Sequence, residues 1–337
     1  MRFVIHGAGA IGGTIGGRLF EAGHDVTLIA RGAHLDALRS RGLTVVSADR
    51  TVTLPVPAVG SPAEAGLAPG DVVILAVKSQ ATLDAVASLD VAAPPGVAVA
   101  CAQNGVENER VVLRRFPATY AVTVMLPSLH LEPGVVVPYG SPVNGILDVG
   151  RYPSGVDETA QGLSSALVTA GFASEARPDI LRWKYSKLLD NLRNAIDAVC
   201  GGGPEPGDDT GEAGAADESA AVEELAALVR AEGKAVLAAA GIDVVPAGVD
   251  RARRGTLLTA GPPVPGAPRR SSTWQSLTKG AGSVETDYLT GEVVLLGRLH
   301  GVATPANALL QRLATELAAE GRPPGSVRAS EVLARLG

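Results

Sequence analysis

The sequence predicts an α/β domain built on a parallel sheet, followed by an all-helical domain. Three observations carry that prediction. The first half alternates short unbroken apolar runs with helix-period stretches, a glycine pattern lies between the first run and the first helix, and the second half shows helical spacing only. Apolar runs that do not alternate with polar residues belong to strands buried on both faces, as in a parallel sheet covered by helices.

The strand candidates in order are Arg2–His6, Val26–Ala30, Val72–Val77 and Val97–Ala102, with further β-type runs at Ala121–Leu126 and Val135–Tyr139. A helix-period stretch, Ile11 to Glu21, joins the first two and ends at Gly23. Helical spacing then recurs at Asp179–Val199, Ser219–Ala240, Glu285–His300 and Pro305–Ala319, where no strand is needed. The boundary falls after residue 177, giving domains 1–177 and 178–337. Between the first two of these helices, "GGGPEPGDDTGEAGAADES" has little to bury and reads as a mobile surface loop. "LTAGPPVPGAPRR" is a second, proline-rich connection. No internal repeat is present.

A chain of 337 residues exceeds one ordinary core. With 46% hydrophobic and 19% charged residues it is globular, and a net charge of −6 gives no general attraction to nucleic acid or anionic lipid. Cys101 and Cys200 cannot build a disulfide framework. The first apolar run is too short for a secretory leader, and no stretch reaches the roughly 20 apolar residues that span a bilayer. These features point to the cytoplasm. The sequence carries no readable mark of oligomeric state, and a homodimer is the assembly allowed for.

Gly7-Ala8-Gly9-Ala10-Ile11-Gly12 is G-x-G-x-x-G directly after a strand and at the start of a helix. The first glycine permits the tight turn, the second lets the backbone approach a pyrophosphate, and the third allows close helix–strand packing. The helix opening supplies N–H groups and a positive dipole end. This defines a Rossmann-type dinucleotide site, against the blander reading of a glycine turn. An NAD site usually carries an acid after the second strand, roughly 20 residues beyond the glycines. Here Arg31 stands in that place, and Asp25 lies at the wrong end of the strand. A guanidinium matches a 2′-phosphate by charge and by its fork of donors. The expected cofactor is therefore NADPH/NADP+, the alternative being a solvated arginine.

Ligands of open α/β sheets collect at the carboxyl ends of strands. Lys78 follows "DVVILAV" there, and Asn104 follows "VAVACAQ". Each is a candidate for the far end of the cofactor, or else a strand terminator, Asn-Gly being a turn signal. In "LRWKYSKLLDNLRNAIDAV", with Lys187 at zero, Asn191 falls at about +40°, Asn194 at about −20° and Lys184 at about +60° on a helical wheel. That stripe opposes Leu189, Leu192 and Ile196. It is either a solvated face or a set of donors. Ser271 and Ser272 precede a short helical stretch, where one can cap it. Glu285 opens the next helix, where the dipole favours an acid.

Together the glycine loop with Arg31, Lys78, Asn104, "K-L-L-D-N" and "RSSTWQ…E-T-D-Y-L-T-G" resemble ketopantoate reductases (2-dehydropantoate 2-reductases) over nearly the whole chain. The resemblance implies NADPH-dependent reduction of 2-dehydropantoate to pantoate, on the path to pantothenate and coenzyme A, with the active site between the two domains. It assigns the general acid to Lys187 and its acidic partner to Glu285. Substrate contacts fall to Asn104 and Asn191, the substrate carboxylate to Ser272, and the cofactor–substrate junction to Lys78. Two positions depart from the family. Ala195 stands where a second asparagine is usual, with Asn194 one place early and facing the same way. The interval from Ser272 to Glu285 is about one residue longer than the family pattern leads one to expect, which leaves Ser271 and Ser272 both open. Lys184 likewise stays open beside Lys187 as the acid.

A free lysine, with a pKa of about 10.4, starts protonated and suits this role without a large shift. No Cys or His cluster has metal-ligand spacing, and a hydride reduction needs none. The alternatives are a reductase of another 2-oxo acid, which shares the pattern, and a non-catalytic NADP(H)-binding redox sensor. A sensor would need the glycine loop and Arg31, but not Lys187, Asn191 and Glu285.

Overall fold

The computed structural model describes residues 1–130, 132–201, 211–255, 257–260, 270–280 and 282–337. Seven strands form the principal sheet: β1 Phe3–His6, β2 Val26–Ile29, β3 Ala58–Val59, β4 Val72–Leu75, β5 Ala98–Cys101, β6 Thr119–Met125 and β7 Ile146–Arg151. Their spatial order is β3-β2-β1-β4-β5-β6-β7, all neighbours parallel except the antiparallel β6–β7 edge. Strand order reverses between β1 and β4, the switch point where such sheets open a crevice for a ligand. All four residues of β1, β2, β4 and β5 are buried, as non-alternating runs require.

The first two helices are α1, Ala10–Glu21, which leaves the end of β1, and α2, Gly32–Arg41, which leaves the end of β2. Helix α1 lies against β1 and β2, and its Ile15 and Leu19 join Phe3, Ile5 and Leu28 in the core. The Val135–Tyr139 run is a strand, Val135–Pro138, but not of the principal sheet. It pairs with Leu43–Val46 and Ser128–Leu129 in a separate four-stranded sheet.

The chain divides into two compact units, Met1–Lys184 with Val245–Pro268, and Tyr185–Val244 with Arg269–Gly337. Where the sequence pattern suggests one boundary after residue 177, the chain leaves the first unit after Lys184 and returns to it at Val245. Two features hold the returning segment. Leu258–Ala260 is a strand antiparallel to Gly140–Pro142, which corrects the expectation that the second half needs none. Its few pairing partners lie more than a hundred residues upstream, so local pattern carries no trace of them. Asp148, 1% exposed, receives hydrogen bonds from the Glu175 N–H, Arg177 Nε and Arg253 Nη2, at 2.9, 2.7 and 2.8 Å. Hydrogen-bonded from several sides, this buried carboxylate fixes the Ala247–Arg254 helix through Arg253.

The second unit is helical. Residues 179–199 fold as Ile180–Asn191 and Arg193–Cys200, interrupted at Leu192, rather than as one helix. Leu189, Leu192 and Ile196 enter the core with Val229, Val293 and Leu310. The expected mobile loop is overturned in part, because the helix Gly211–Ala239 begins inside it. Alanine and glutamate are strong helix formers, and that propensity outweighs the low hydrophobicity of "GEAGAADES". Residues 202–210 of that loop and 261–269 of the proline-rich connection lie outside the described residues. Glu285–His300 opens with a 3₁₀ turn, Glu285–Tyr288, before the helix Thr290–His300. Glu232 on the long helix accepts from the Ala306 and Asn307 N–H groups at 2.8 and 3.0 Å, capping the helix Pro305–Glu320. No helix among the described residues is long and apolar enough to cross a membrane.

Candidate functional site

The glycine loop is pinned to the sheet from below. The Gly7 and Ala8 N–H groups both donate to the Ile29 carbonyl, at 3.1 and 3.3 Å. Gly7 has φ +104°, and a Cβ there would fall 2.8 Å from the Val77 nitrogen. A Cβ at Gly12 would fall 2.1 Å from the Gly7 carbonyl oxygen, so both positions are closed to any side chain. At Gly9, the N-cap of α1, a Cβ meets nothing within 4 Å. The outer two glycines are needed by the fold, and the middle one borders open space. That is the pattern a pyrophosphate cradle requires, and it fits a dinucleotide. Ala10 and Ile11 complete the loop as the first residues of α1, both half-buried.

The two kinds of glycine separate experimentally. Gly12→Ala should lower the Tm by about 5–10 °C through overpacking. Gly9→Ala should leave the Tm within about 2 °C yet weaken dinucleotide binding roughly tenfold. Differential scanning calorimetry with a fluorescence titration of the reduced dinucleotide checks both.

Arg31 is exposed, caps α2 in an extended conformation at the end of β2, and has no carboxylate partner among the described residues. Its charge is felt at His6, the last residue of β1. Burial, with Arg31 adding to it, pushes the His6 imidazole down to about 4. His6 is therefore neutral at neutral pH, and the cation beside the glycine loop is Arg31.

At the other end of the crevice the ends of β4 and β5 are tied together. Gln103 Nε2 donates to the Val77 carbonyl and to Thr82 Oγ1, each at 2.9 Å. Asn108, 1% exposed, donates to Ser79 Oγ at 3.3 Å and to the Asn104 carbonyl at 3.0 Å, and it accepts from Thr82 Oγ1 at 2.7 Å. This network brings Lys78, exposed, and Asn104, half-buried, to adjacent strand ends. Gln103 and Asn108 escape a sequence reading because their role is to hold backbone and one another. The only local signal was the polar cluster "QNGVEN" after an apolar strand.

Lys184 belongs to the same unit and is committed there. Its Nζ donates to the Glu109 carboxylate and, at 3.1 Å, to the Gln103 carbonyl. With the two side chains 3% and 0% exposed, the pair is shut away from water. A buried ammonium held by a carboxylate is costly to detach. The wheel placed Lys184 on the stripe of Lys187; its partner is Glu109, 75 residues away.

In the second unit Lys187 is half-buried on Ile180–Asn191. Asn191 is 5% exposed, and its Nδ2 has no hydrogen-bond partner. Asn194, half-buried, sits on the next helix, and its carbonyl accepts from Ser271 Oγ at 3.3 Å. Ser271 also caps the helix Ser272–Thr278, accepting the Trp274 N–H at 3.2 Å. Ser272 Oγ, by contrast, is buried without a partner. The structure thus brings the Ser271–Ser272 pair against Asn194, and of the two hydroxyls only that of Ser272 is uncommitted. Glu285 is 5% exposed and heads its 3₁₀ turn.

Two family models match, "Ketopantoate reductase PanE/ApbA" over residues 3–153 and "Ketopantoate reductase PanE/ApbA C terminal" over 179–318. A 2-dehydropantoate 2-reductase of Halobacterium salinarum is 30% identical over 309 residues, covering 90% of this chain and 95% of the relative. That of Pyrococcus horikoshii is 33% identical over 201 residues, 59% of this chain and 64% of the relative's length. A crystal structure of a PanE/ApbA family ketopantoate reductase from Ralstonia eutropha JMP134 superposes with a TM-score of 0.77 at 28% identity, covering 95% of this chain and 99% of that one.

A Rossmann-type sheet with an open glycine loop, joined to a helical unit of this kind, defines an oxidoreductase that uses a nicotinamide dinucleotide. More particularly, the chain belongs to the ketopantoate reductase family.

Proposed function

We propose that this protein reduces a 2-oxo acid with NADPH in the cytoplasm, and that its substrate is 2-dehydropantoate, giving pantoate. The observation that carries the substrate reading is the pair of buried, unpartnered polar atoms, Asn191 Nδ2 and Ser272 Oγ. Leaving each unsatisfied costs about 1–3 kcal/mol. Both are donors, and 2-dehydropantoate presents acceptors of the matching kind, a hydroxyl oxygen and a carboxylate.

A bound reduced nicotinamide supplies the hydride. Arg31 holds a 2′-phosphate, the glycine loop receives the pyrophosphate, and Lys78 and Asn104 orient the nicotinamide end. As negative charge grows on the ketone oxygen, Lys187 Nζ stabilises it and gives it a proton. Glu285 keeps that ammonium in place. Asn191, with Asn194 standing in for the asparagine absent at Ala195, binds the substrate hydroxyl, and Ser272 binds the carboxylate. Lys184 takes no part in proton transfer, being held by Glu109.

The test follows NADPH absorbance with purified protein and a panel of 2-oxo acids. The expected result is a kcat/KM for 2-dehydropantoate at least about tenfold above the others, the factor that one well-placed hydrogen bond supplies. Preference for another branched 2-oxo acid would reassign the substrate. Dinucleotide binding with no turnover on any of them would make the protein a sensor instead.

A further inference from the structure

His34 lies three residues beyond Arg31, in the first turn of α2, and its ring bridges two loops. The Gly134 N–H donates to His34 Nδ1 at 2.9 Å, and His34 Nε2 meets the Ala8 carbonyl at 2.7 Å. An amide N–H can only donate, so Nδ1 carries the lone pair, Nε2 carries the hydrogen, and the bond to Ala8 runs from ring to carbonyl. The ring is therefore neutral, in keeping with burial, which lowers its pKa against the opposing pull of the Ala8 carbonyl. Gly134 is itself anchored, its carbonyl accepting the Thr44 N–H at 2.8 Å. It has φ +84°, a backbone conformation that favours glycine, and a Cβ there would press to 3.1 Å on Ala37 of α2. The His130 ring packs against it at a tilt, with centroids 4.3 Å from those of His34.

The Ala8 carbonyl is not a passive anchor. A trans peptide is planar, with its C=O and the following N–H pointing in opposite directions. Fixing the Ala8 oxygen therefore fixes the direction of the Gly9 N–H, at the N-cap of α1 where the cradle opens. The same imidazole is carried by the helix that Arg31 caps.

We propose that His34 is a positioning residue for the dinucleotide: its neutral imidazole clamps the Ala8–Gly9 peptide of the glycine loop to α2 and so sets the spacing between the pyrophosphate cradle and Arg31. The inference rests on the reading that this loop binds the dinucleotide. Phenylalanine keeps the ring's bulk and loses both hydrogen bonds, whereas glutamine restores one donor and one acceptor.

The experiment measures NADPH and NADH binding by fluorescence titration, together with steady-state kinetics and Tm, for wild type, His34→Phe and His34→Gln. His34→Phe should weaken NADPH binding about tenfold, with the loss falling on the KM for NADPH rather than on the KM for the 2-oxo acid. His34→Gln should recover most of it. His34→Ala, titrated with and without added imidazole, serves if the phenylalanine variant does not fold; imidazole should tighten its binding. His34→Phe binding both dinucleotides as tightly as wild type would overturn the inference. So would a glutamine variant as impaired as the phenylalanine one at equal Tm, or an alanine variant indifferent to imidazole. Wild-type protein that bound neither dinucleotide would overturn the cofactor reading as well, which distinguishes the two failures.

Discussion

Lys187→Ala lowers kcat by roughly 10²–10⁴-fold, the range expected when a positioned general acid is removed. NADPH binding changes little, because the groups proposed to hold the dinucleotide, the glycine loop and Arg31, are in the other unit of the chain. Steady-state kinetics alongside a fluorescence titration of NADPH separates the two quantities. A rescue by the neighbouring lysine is closed off by structure. Lys184 is the nearest alternative in sequence, yet its ammonium is tied to Glu109 and to the Gln103 carbonyl, and its side chain is 3% exposed. Turnover within about threefold of wild type would remove Lys187 from the mechanism.

Arg31→Ala raises the KM for NADPH by about 10–100-fold and leaves the KM for NADH within about threefold. Hydrogen bonds to a charged group contribute about 1.5–3 kcal/mol each, and each 1.4 kcal/mol is tenfold in affinity. Arg31 is exposed, so its removal leaves no cavity and costs the fold little. The ratio of the two KM changes is the informative quantity, since NADH lacks the phosphate that a guanidinium would grip. Equal losses for both dinucleotides would mean that Arg31 serves the loop or the adenosine instead.

The parts of this molecule that were legible in its sequence are those encoded within a few turns of chain. The β1–loop–α1 unit is one, because strand, glycines and helix follow one another within 21 residues and each states its own requirement. The buried strands were legible from their unbroken apolar runs. What stayed hidden depends on distant partners. Nothing near Lys184 marks Glu109 as its counterion, and nothing near Asp148 marks Arg253, 105 residues away. His34 looks like an ordinary first-turn residue until Gly134 arrives from 100 residues downstream. The choice between Ser271 and Ser272 was open for a different reason: adjacent serines have equal capping propensity, and only the Trp274 N–H and the Asn194 carbonyl show which one is committed.

One isotope experiment reaches the central claim most directly. With NADPH deuterated at the transferable position of the nicotinamide and 2-dehydropantoate as acceptor, mass spectrometry of the product should show one deuterium bound to C2 of pantoate per NADPH consumed. Product carrying no deuterium, or NADPH left unconsumed beside an intact 2-oxo acid, would contradict the account.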